Sequence, residues 1–254
     1  MTTQFLILTM PRSGSYHLSS LLDSAPDITC YGEVFKDQRI ELPKDILHTL
    51  NLAPQQVAQR NADPMGFLDR LTKATATPIM GFKEFPARLL PLGLWGRLVA
   101  SPDWRKIMLH RNILRRYLSL LRARESGHYT RRKAQADAIP VEDRRVHFDA
   151  AEFAEFAGRQ QNFINRCTRL AQNPDAGQVM QVDYADLSAP QTLHRMLTFL
   201  GSDADADKLR SEYLPQTRPD TRLADMVQNY DEMVAALNDT GMQEVLANAE
   251  KPGS

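Results

Sequence analysis

Cysteine is scarce in this chain of 254 residues, which contains only Cys30 and Cys167. Two such residues do not make a disulfide framework, and a reducing compartment is the simplest interpretation of their number. The chain also lacks C-x-x-C and H-x-x-x-H spacings, which commonly hold a metal ion. We therefore expect neither a disulfide-stabilised fold nor a metal site.

An excess of charge is missing too, since 31 basic and 31 acidic residues give a formal net charge of zero. No overall field then draws the chain to nucleic acid or to a membrane surface, and any anion must be bound by a local cluster. The apolar run Phe5–Met10 is too short for a signal peptide or a membrane span. We expect a cytoplasmic protein with no nucleic-acid partner and no membrane span, and its oligomeric state leaves no signature in the sequence.

Two common phosphate-binding motifs are also missing, namely G-x-x-x-x-G-K-[ST] and the dinucleotide motif G-x-G-x-x-G. Instead, the predicted strand Phe5–Thr9 runs into the string PRSGS at Pro11–Ser15 and then into the predicted helix Tyr16–Asp23. Free N–H groups and the helix dipole make an anion site at such a helix start. Arg12 adds a positive charge, and Gly14 leaves room for a phosphate. This segment therefore predicts a phosphate-binding loop.

Short apolar runs alternate with helical patterns along the rest of the chain. Runs of this kind are typical of strands covered on both faces, and their alternation with helices predicts a parallel sheet. The predicted strands are Phe5–Thr9, Thr29–Tyr31, Ile79–Lys83, Lys106–His110 and Val179–Asp183. The predicted helices are Tyr16–Asp23, Phe67–Thr75, Ile113–Arg124, Ala150–Ala171, Pro190–Leu200 and Leu223–Leu237. We predict a single α/β domain over residues 1–254, with a central parallel sheet flanked by helices and a P-loop-like loop after the first strand.

The Pro11–Ser15 string resembles the 5′-phosphosulfate loop, P-[RK]-[ST]-G-[ST], of sulfotransferases that use 3′-phosphoadenosine 5′-phosphosulfate (PAPS). Arg111 at a strand end and Ser119 eight residues later resemble the pair that grips the 3′-phosphate in that family. Residues 179–201 carry a Y-A-D-L string, a proline and a closing F-L-G, similar to the family's Y-E-D-L…P…FLG. Residues 23–33 resemble the D-x-x-P-D-[VI]…G-E string that follows the loop. The chain thus resembles bacterial carbohydrate-type and protein-tyrosine-type sulfotransferases.

The resemblance implies which residues bind the nucleotide. They are Arg12, Ser13, Gly14, Ser15, Tyr16, His17, Arg111, Ser119 and Tyr184. Of these, Arg111 and Ser119 would grip the 3′-phosphate, and Tyr184 would lie near the adenine. Tyr16 and His17 replace the small or Thr residue that usually follows the loop, so the floor of the acceptor site is expected to differ here.

The resemblance also implies the catalytic groups. Glu33 is the expected general base, because it follows a predicted strand and lies 21 residues after Arg12, as in the protein-tyrosine sulfotransferases. Glu84 is its rival, and His17 is a minor candidate. Lys83 and Arg12 are expected to stabilise the leaving phosphate and the sulfuryl oxygens.

We therefore expect an enzyme that moves a sulfuryl group from PAPS to an acceptor hydroxyl of a glycan, a glycolipid or a small metabolite. The other product is adenosine 3′,5′-bisphosphate (PAP), and the in-line transfer requires no metal. Two alternatives remain open, a nucleotide-dependent phosphotransferase and a non-catalytic nucleotide-binding protein of the same fold. The acceptor atom, oxygen or nitrogen, is also left open.

Two irregular stretches follow predicted strands and are expected to frame the ligand crevice at the carboxyl edge of the sheet. Residues 85–103 would supply an apolar wall. Residues 126–148 are rich in arginine and lysine. This second stretch is either a mobile charged lid that brings cations to the nucleotide or a solvated charged loop.

Overall fold

The computed structural model describes residues 2–135, 144–214 and 221–251. Five strands of these segments form one sheet with the order β2-β3-β1-β4-β5, and every neighbouring pair is parallel. The strands are β1 (Thr3–Leu8), β2 (Ile28–Tyr31), β3 (Ile79–Glu84), β4 (Trp104–His110) and β5 (Val179–Asp183). The predicted α/β class with a central parallel sheet is therefore confirmed. Because β1 lies between β3 and β4, the chain segments that leave these three strands start side by side.

Helices pack on both faces of the sheet. Along β1, Phe5 and Ile7 point into one core and Leu6 and Leu8 into the other, as the alternation of a strand requires. The helices are α1 (Ser15–Asp23), α2 (Lys44–Thr49), α3 (Val57–Ala62), α4 (Pro64–Ala74), α5 (Pro86–Leu89), α6 (Ile113–Ser126), α7 (Ala150–Ala171), α8 (Pro190–Leu200), α9 (Leu223–Met226), α10 (Tyr230–Asp239) and α11 (Gln243–Ala249). Helices α1 and α8 cover the first face, and α4 and α7 cover the second.

The predicted helix Leu223–Leu237 is wrong as a single element. It consists of α9 and most of α10, separated by residues 227–229, of which Val227 is extended with φ −121° and ψ 134°. The interruption has a partner, because the Val146 N–H donates to Met226 O and the Gln228 N–H donates to Val146 O, both at 2.9 Å. A bridge between distant segments therefore overrides the local helical pattern.

The two irregular stretches differ from the simple loops expected. Residues 85–103 contain α5 and one wide helical turn at Trp95–Val99, and their side chains Leu89, Leu94 and Leu98 are fully buried in the core beneath the sheet. These three leucines therefore do not form the expected apolar wall of a crevice.

Of the predicted lid, residues 136–143 lie outside the described part of the chain. The described residues on either side of this gap form β-bridges with other segments. Arg132 pairs with Tyr213 in an antiparallel bridge, and Val146 pairs with Val227. The lid role of residues 126–148 remains a prediction.

Candidate active site

The loop after β1 has a backbone suited to an anion. Arg12 has φ 68° and Gly14 has φ 80°, and these left-handed residues flank the buried Ser13. The first hydrogen bond of α1 runs from the Leu18 N–H to Gly14 O at 3.1 Å. The N–H groups at the start of the helix, beginning with Ser15, therefore lie outside the helical ladder, where they can bind an anion.

Gly14 is required here for a second reason. A Cβ atom at this position would lie 2.2 Å from Cε2 of Tyr184. The aromatic ring therefore packs directly on the loop backbone. The Arg111 guanidinium lies over the same ring, with its carbon 4.1 Å from the ring centroid. Tyr184 thus joins the loop to the strand end that carries Arg111.

The side chain of Arg12 extends toward α6. Its Nε and Nη2 atoms donate to Ser119 Oγ at 3.2 and 2.9 Å, and its Nη1 atom donates to the Tyr129 carbonyl. Arg111 Nη1 donates to the Arg12 carbonyl oxygen at 3.3 Å. The structure therefore brings together three residues that the sequence predicted for the nucleotide, Arg12, Arg111 and Ser119.

Arg116, which was not predicted from the sequence, contacts the backbone of the loop. Its Nε atom donates to the Pro11 carbonyl at 2.9 Å, its Nη1 atom donates to Gln160 Oε1, and the side chain is 1 % exposed. Two successive arginines in the otherwise apolar start of α6 were the available signal, since a buried arginine needs carbonyl or anionic partners.

The cations of this region depress one another's pKa values. Burial first, and then repulsion from Arg111, lowers the pKa of Arg12 to about 10 and that of Arg116 to about 9. Burial, Arg111 and Arg122 together lower the pKa of Arg115 to about 10. All three side chains still carry their charge at neutral pH. Crowded and partly desolvated cations of this kind favour a multiply charged anion.

Glu33 and Lys83 meet on the other side of the loop. Lys83 Nζ lies 2.5 Å from Glu33 Oε1, and the Lys83 side chain is completely buried. The same Nζ atom lies 3.5 Å from the centroid of the Tyr16 ring, and burial together with the neighbouring Glu33 raises the pKa of the Tyr16 hydroxyl. The predicted base and the predicted lysine therefore form one pair, which the first turn of α1 covers with an aromatic ring.

Arg88 completes this cluster and was not predicted. Its Nη1 atom lies 2.5 Å from Glu33 Oε2 and 3.0 Å from Glu84 Oε1. Burial acts to raise the pKa of Glu33, but Lys83 and Arg88 lower it to about 2. No helical spacing pointed to Arg88, because Glu84 ends β3 and only Arg88 lies on α5.

The carboxylate oxygens of Glu84, the alternative candidate for the base, are already hydrogen bonded within the protein. Its Oε2 atom accepts the Phe35 N–H at 2.9 Å and its Oε1 atom accepts the Phe85 N–H at 3.1 Å, in addition to Arg88. The side chain is completely buried, and burial raises its pKa. These contacts favour an anchoring role for Glu84 and leave Glu33 as the better candidate for the base.

His17, the minor candidate for the base, lies beside Tyr213. Its Nδ1 atom lies 3.4 Å from the Tyr213 carbonyl oxygen, and burial lowers its pKa. The Tyr213 ring also packs against Tyr16, with 5.2 Å between the centroids. The floor beside the loop is thus built with Tyr213, a residue that sequence analysis did not select.

Within the described residues, no group of three or more His, Cys, Asp or Glu side chains is placed to hold a metal ion. Cys30 and Cys167 are both free and buried, and burial raises the pKa of each. None of the helices in the described segments is long and apolar enough to cross a membrane.

The model of the sulfotransferase family matches residues 4–207. The match covers most of the chain, so the chain belongs to this family and is an enzyme, a sulfotransferase. It is 24% identical over 237 residues to Nodulation protein H of Rhizobium tropici, in an alignment that covers 90% of this chain and 87% of that protein.

Two solved structures are also similar to the chain. One is a sulfotransferase from Alicyclobacillus acidocaldarius, with 14% identity, a TM-score of 0.47 and coverage of 98% of this chain and 94% of that one. The other is the sulfotransferase domain of the olefin synthase from Synechococcus PCC 7002, with 16% identity, a TM-score of 0.49 and coverage of 91% and 83%.

Proposed function

We propose that this sulfotransferase takes the sulfuryl group from PAPS and transfers it to a hydroxyl of a small-molecule or carbohydrate acceptor, such as a glycan, a glycolipid or a small metabolite. The observation that carries the proposal is that one short loop contacts two different clusters. Arg12 of the loop contacts Ser119, whereas Tyr16, four residues later in the first turn of α1, lies over the Lys83 ammonium, which pairs with Glu33. The loop therefore stands between a cationic cluster and a carboxylate–lysine pair.

The cationic side of the loop suits a nucleotide that carries phosphates at two positions. The N–H groups at the start of α1 that lie outside the helical ladder would bind the 5′-phosphate. Arg111 and Ser119 would bind the 3′-phosphate, because a guanidinium and a hydroxyl offer several donors to phosphate oxygens. Tyr184 packs on the loop beside Arg111, and we assign it to the adenine side. When bound, PAPS supplies the sulfuryl group.

The carboxylate–lysine side suits removal of a proton. Glu33 is ionised at neutral pH, because its pKa is about 2, so its oxygens are ready to accept a hydrogen bond from the acceptor hydroxyl. A carboxylate with so low a pKa is a weak base. Negative charge brought by the donor would offset Lys83 and Arg88 and thereby make Glu33 more basic.

Lys83 supplies positive charge at the same place. Its ammonium group is buried between Glu33 and the Tyr16 ring. A buried point charge is well suited to stabilise charge that develops on sulfuryl and bridging oxygens, because little water screens it. The pairing with Glu33 favours the protonated form of Lys83, although burial lowers its pKa.

Titration calorimetry with PAP, ADP and 5′-AMP tests the donor. We expect PAP to bind at least tenfold more tightly than 5′-AMP, since a good phosphate contact contributes about 1.5–3 kcal/mol. Binding should be unchanged when Mg²⁺ is removed. Ser119→Ala should weaken binding of PAP more than that of 5′-AMP, because only PAP carries a 3′-phosphate, although the variant also removes a partner of Arg12. A preference for ADP with Mg²⁺, or equal binding of PAP and 5′-AMP, would contradict the proposal.

A further inference from the structure

Arg88 lies where two carboxylates approach each other. It belongs to α5, the single turn that follows β3 and therefore follows Lys83 and Glu84 directly. Its Nη1 atom is within hydrogen-bonding distance of both Glu33 and Glu84, at 2.5 and 3.0 Å. Its side chain is 18% exposed, so these contacts are only partly screened by water.

Of the two carboxylates, Glu84 is the fixed one. It is completely buried and accepts two backbone N–H groups, those of Phe35 and Phe85. Glu33 is held by side chains, with Lys83 on Oε1 and Arg88 on Oε2. Arg88 therefore connects a carboxylate that the backbone immobilises to one that only side chains orient.

We propose that Arg88 is a positioning residue for the base: it bridges the anchored Glu84 to Glu33, fixes the direction of the Glu33 carboxylate and limits its affinity for a proton. The proposal rests on the proposed role of Glu33 as the general base. It accounts for the placement of Glu84, whose own oxygens are occupied by the backbone and by Arg88.

The charged and titratable groups that face Glu33 come from four segments. Lys83 and Glu84 lie on β3, Arg88 on α5 and Tyr16 on α1. Asp37, after β2, lies 3.7 Å from Arg88 Nε and competes weakly for it, since its side chain is 73% exposed. Loss of Arg88 leaves Lys83 as the cation that contacts Glu33. The proton affinity of Glu33 should then rise but stay below that of a free carboxylate.

Arginine suits this bridge better than lysine does. A guanidinium presents several N–H donors in a planar fork, whereas an ammonium is a point charge on a flexible stem. Arg88→Lys keeps the charge and weakens the bridge. Arg88→Gln removes the positive charge and the guanidinium bridge together. The two variants therefore separate the contribution of charge from that of geometry.

The test is the titration of the Glu33 carboxyl group by ¹³C NMR in the protein without nucleotide. Glu33→Gln identifies the signal by its disappearance. We expect Arg88→Gln to move the titration of Glu33 upward by roughly one pH unit, as loss of one adjacent cation does. Arg88→Lys should produce a smaller upward shift. Arg97→Gln is the matched control, because Arg97 is an exposed arginine at Trp95–Val99, the next turn of the same segment, and should shift nothing.

If Arg88→Gln does not fold, Arg88→Lys decides alone, and an unchanged titration overturns the proposal. A shift of equal size in Arg97→Gln overturns it as well. A second measurement follows release of PAP from PAPS with pH, in which the acid limb of kcat/KM for Arg88→Gln should move up by the same amount. Because the titration uses no nucleotide, failure of PAP to bind would refute the proposed donor and leave the result on Arg88 intact.

Discussion

At the scale of single residues, Gly14 limits which substitutions the loop can tolerate. Its φ of 80° disfavours any side chain, and a Cβ atom there would lie 2.2 and 2.3 Å from two carbons of Tyr184. We expect Gly14→Ala to displace the Tyr184 ring and the loop together. Affinity for PAP should fall by roughly tenfold or more, measured by calorimetry. The free energy of unfolding should also fall by about 1 kcal/mol from the positive φ alone.

Gly127 provides the matched control for this prediction. It has a similar φ of 72° at the end of α6, and a Cβ atom there would meet nothing within 4 Å. Gly127→Ala should therefore show the cost of the backbone conformation without the clash. Equal affinities for PAP in Gly127→Ala and Gly14→Ala would mean that the contact between Gly14 and Tyr184 does not shape the site.

At the scale of elements, α6 connects the loop to the rest of the molecule. Asn112 accepts the Arg115 N–H at its start, and Arg116 one residue later donates to the Pro11 carbonyl. The same helix carries Ser119, which accepts from Arg12. One helix thus sets the position of the loop backbone and of a predicted phosphate ligand.

Arg116→Met tests this coupling. The variant should weaken binding of PAP by roughly tenfold, because a charged hydrogen bond of about 1.5–3 kcal/mol no longer holds the loop. Arg124→Gln, on the exposed end of the same helix, removes a partner of Glu152 at the surface and should leave PAP binding unchanged. If calorimetry gives the same affinity for Arg116→Met as for the unmodified protein, then α6 does not position the loop through Arg116.

The strands and the longer helices could be predicted from the sequence because their own patterns determine them. All five strands and the helices α6, α7 and α8 occur where the apolar spacing indicated. The short helices α2, α3, α5 and α11 were not predicted, since a helix of four to seven residues has too few turns to show the helical period. The break at Val227 depends on Val146, a contact over a long distance in sequence.

The same distinction applies to the candidate site. The structure brings Arg12, Arg111 and Ser119 together on one side of the loop, and Glu33 and Lys83 on the other. Each of these five residues ends or follows a predicted strand or lies in a predicted helix, within a short sequence motif that can be recognised before the fold is known. Residues such as Arg88, Arg116 and Tyr213 reach the site only through tertiary contacts. Local strings do not show which residues such contacts join, so only Arg116 had a signal before the fold was known, in the paired arginines at the start of α6.

At the scale of the whole molecule, cations occupy opposite edges of the sheet. Arg111 follows β4 at the carboxyl edge, beside the loop. Lys106, near the start of the same strand, is completely buried and donates to the carbonyls of Ser101 and Ala176, which precede β4 and β5. Burial lowers the pKa of Lys106 to about 8, although Asp103 opposes this shift. The candidate site at the carboxyl edge and this stabilising contact at the amino edge should therefore be separable.

Lys106→Met and Arg111→Ala test the separation. Lys106 has a pKa of about 8 in the fold and 10.5 as its ordinary value. Between these values the unfolded chain binds more protons than the folded one, so this group makes the free energy of unfolding rise with pH. Relative to Lys106→Met, the unmodified protein should gain on the order of 1 kcal/mol between pH 7 and pH 9 in urea unfolding. Lys73→Met, at an exposed site of α4, should keep that gain.

Binding of PAP completes the test. Lys106→Met should bind PAP normally, whereas Arg111→Ala should bind it at least tenfold more weakly. The pH dependence of the stability of Arg111→Ala should stay that of the unmodified protein. A loss of PAP affinity in Lys106→Met would show instead that the two edges are coupled through β4.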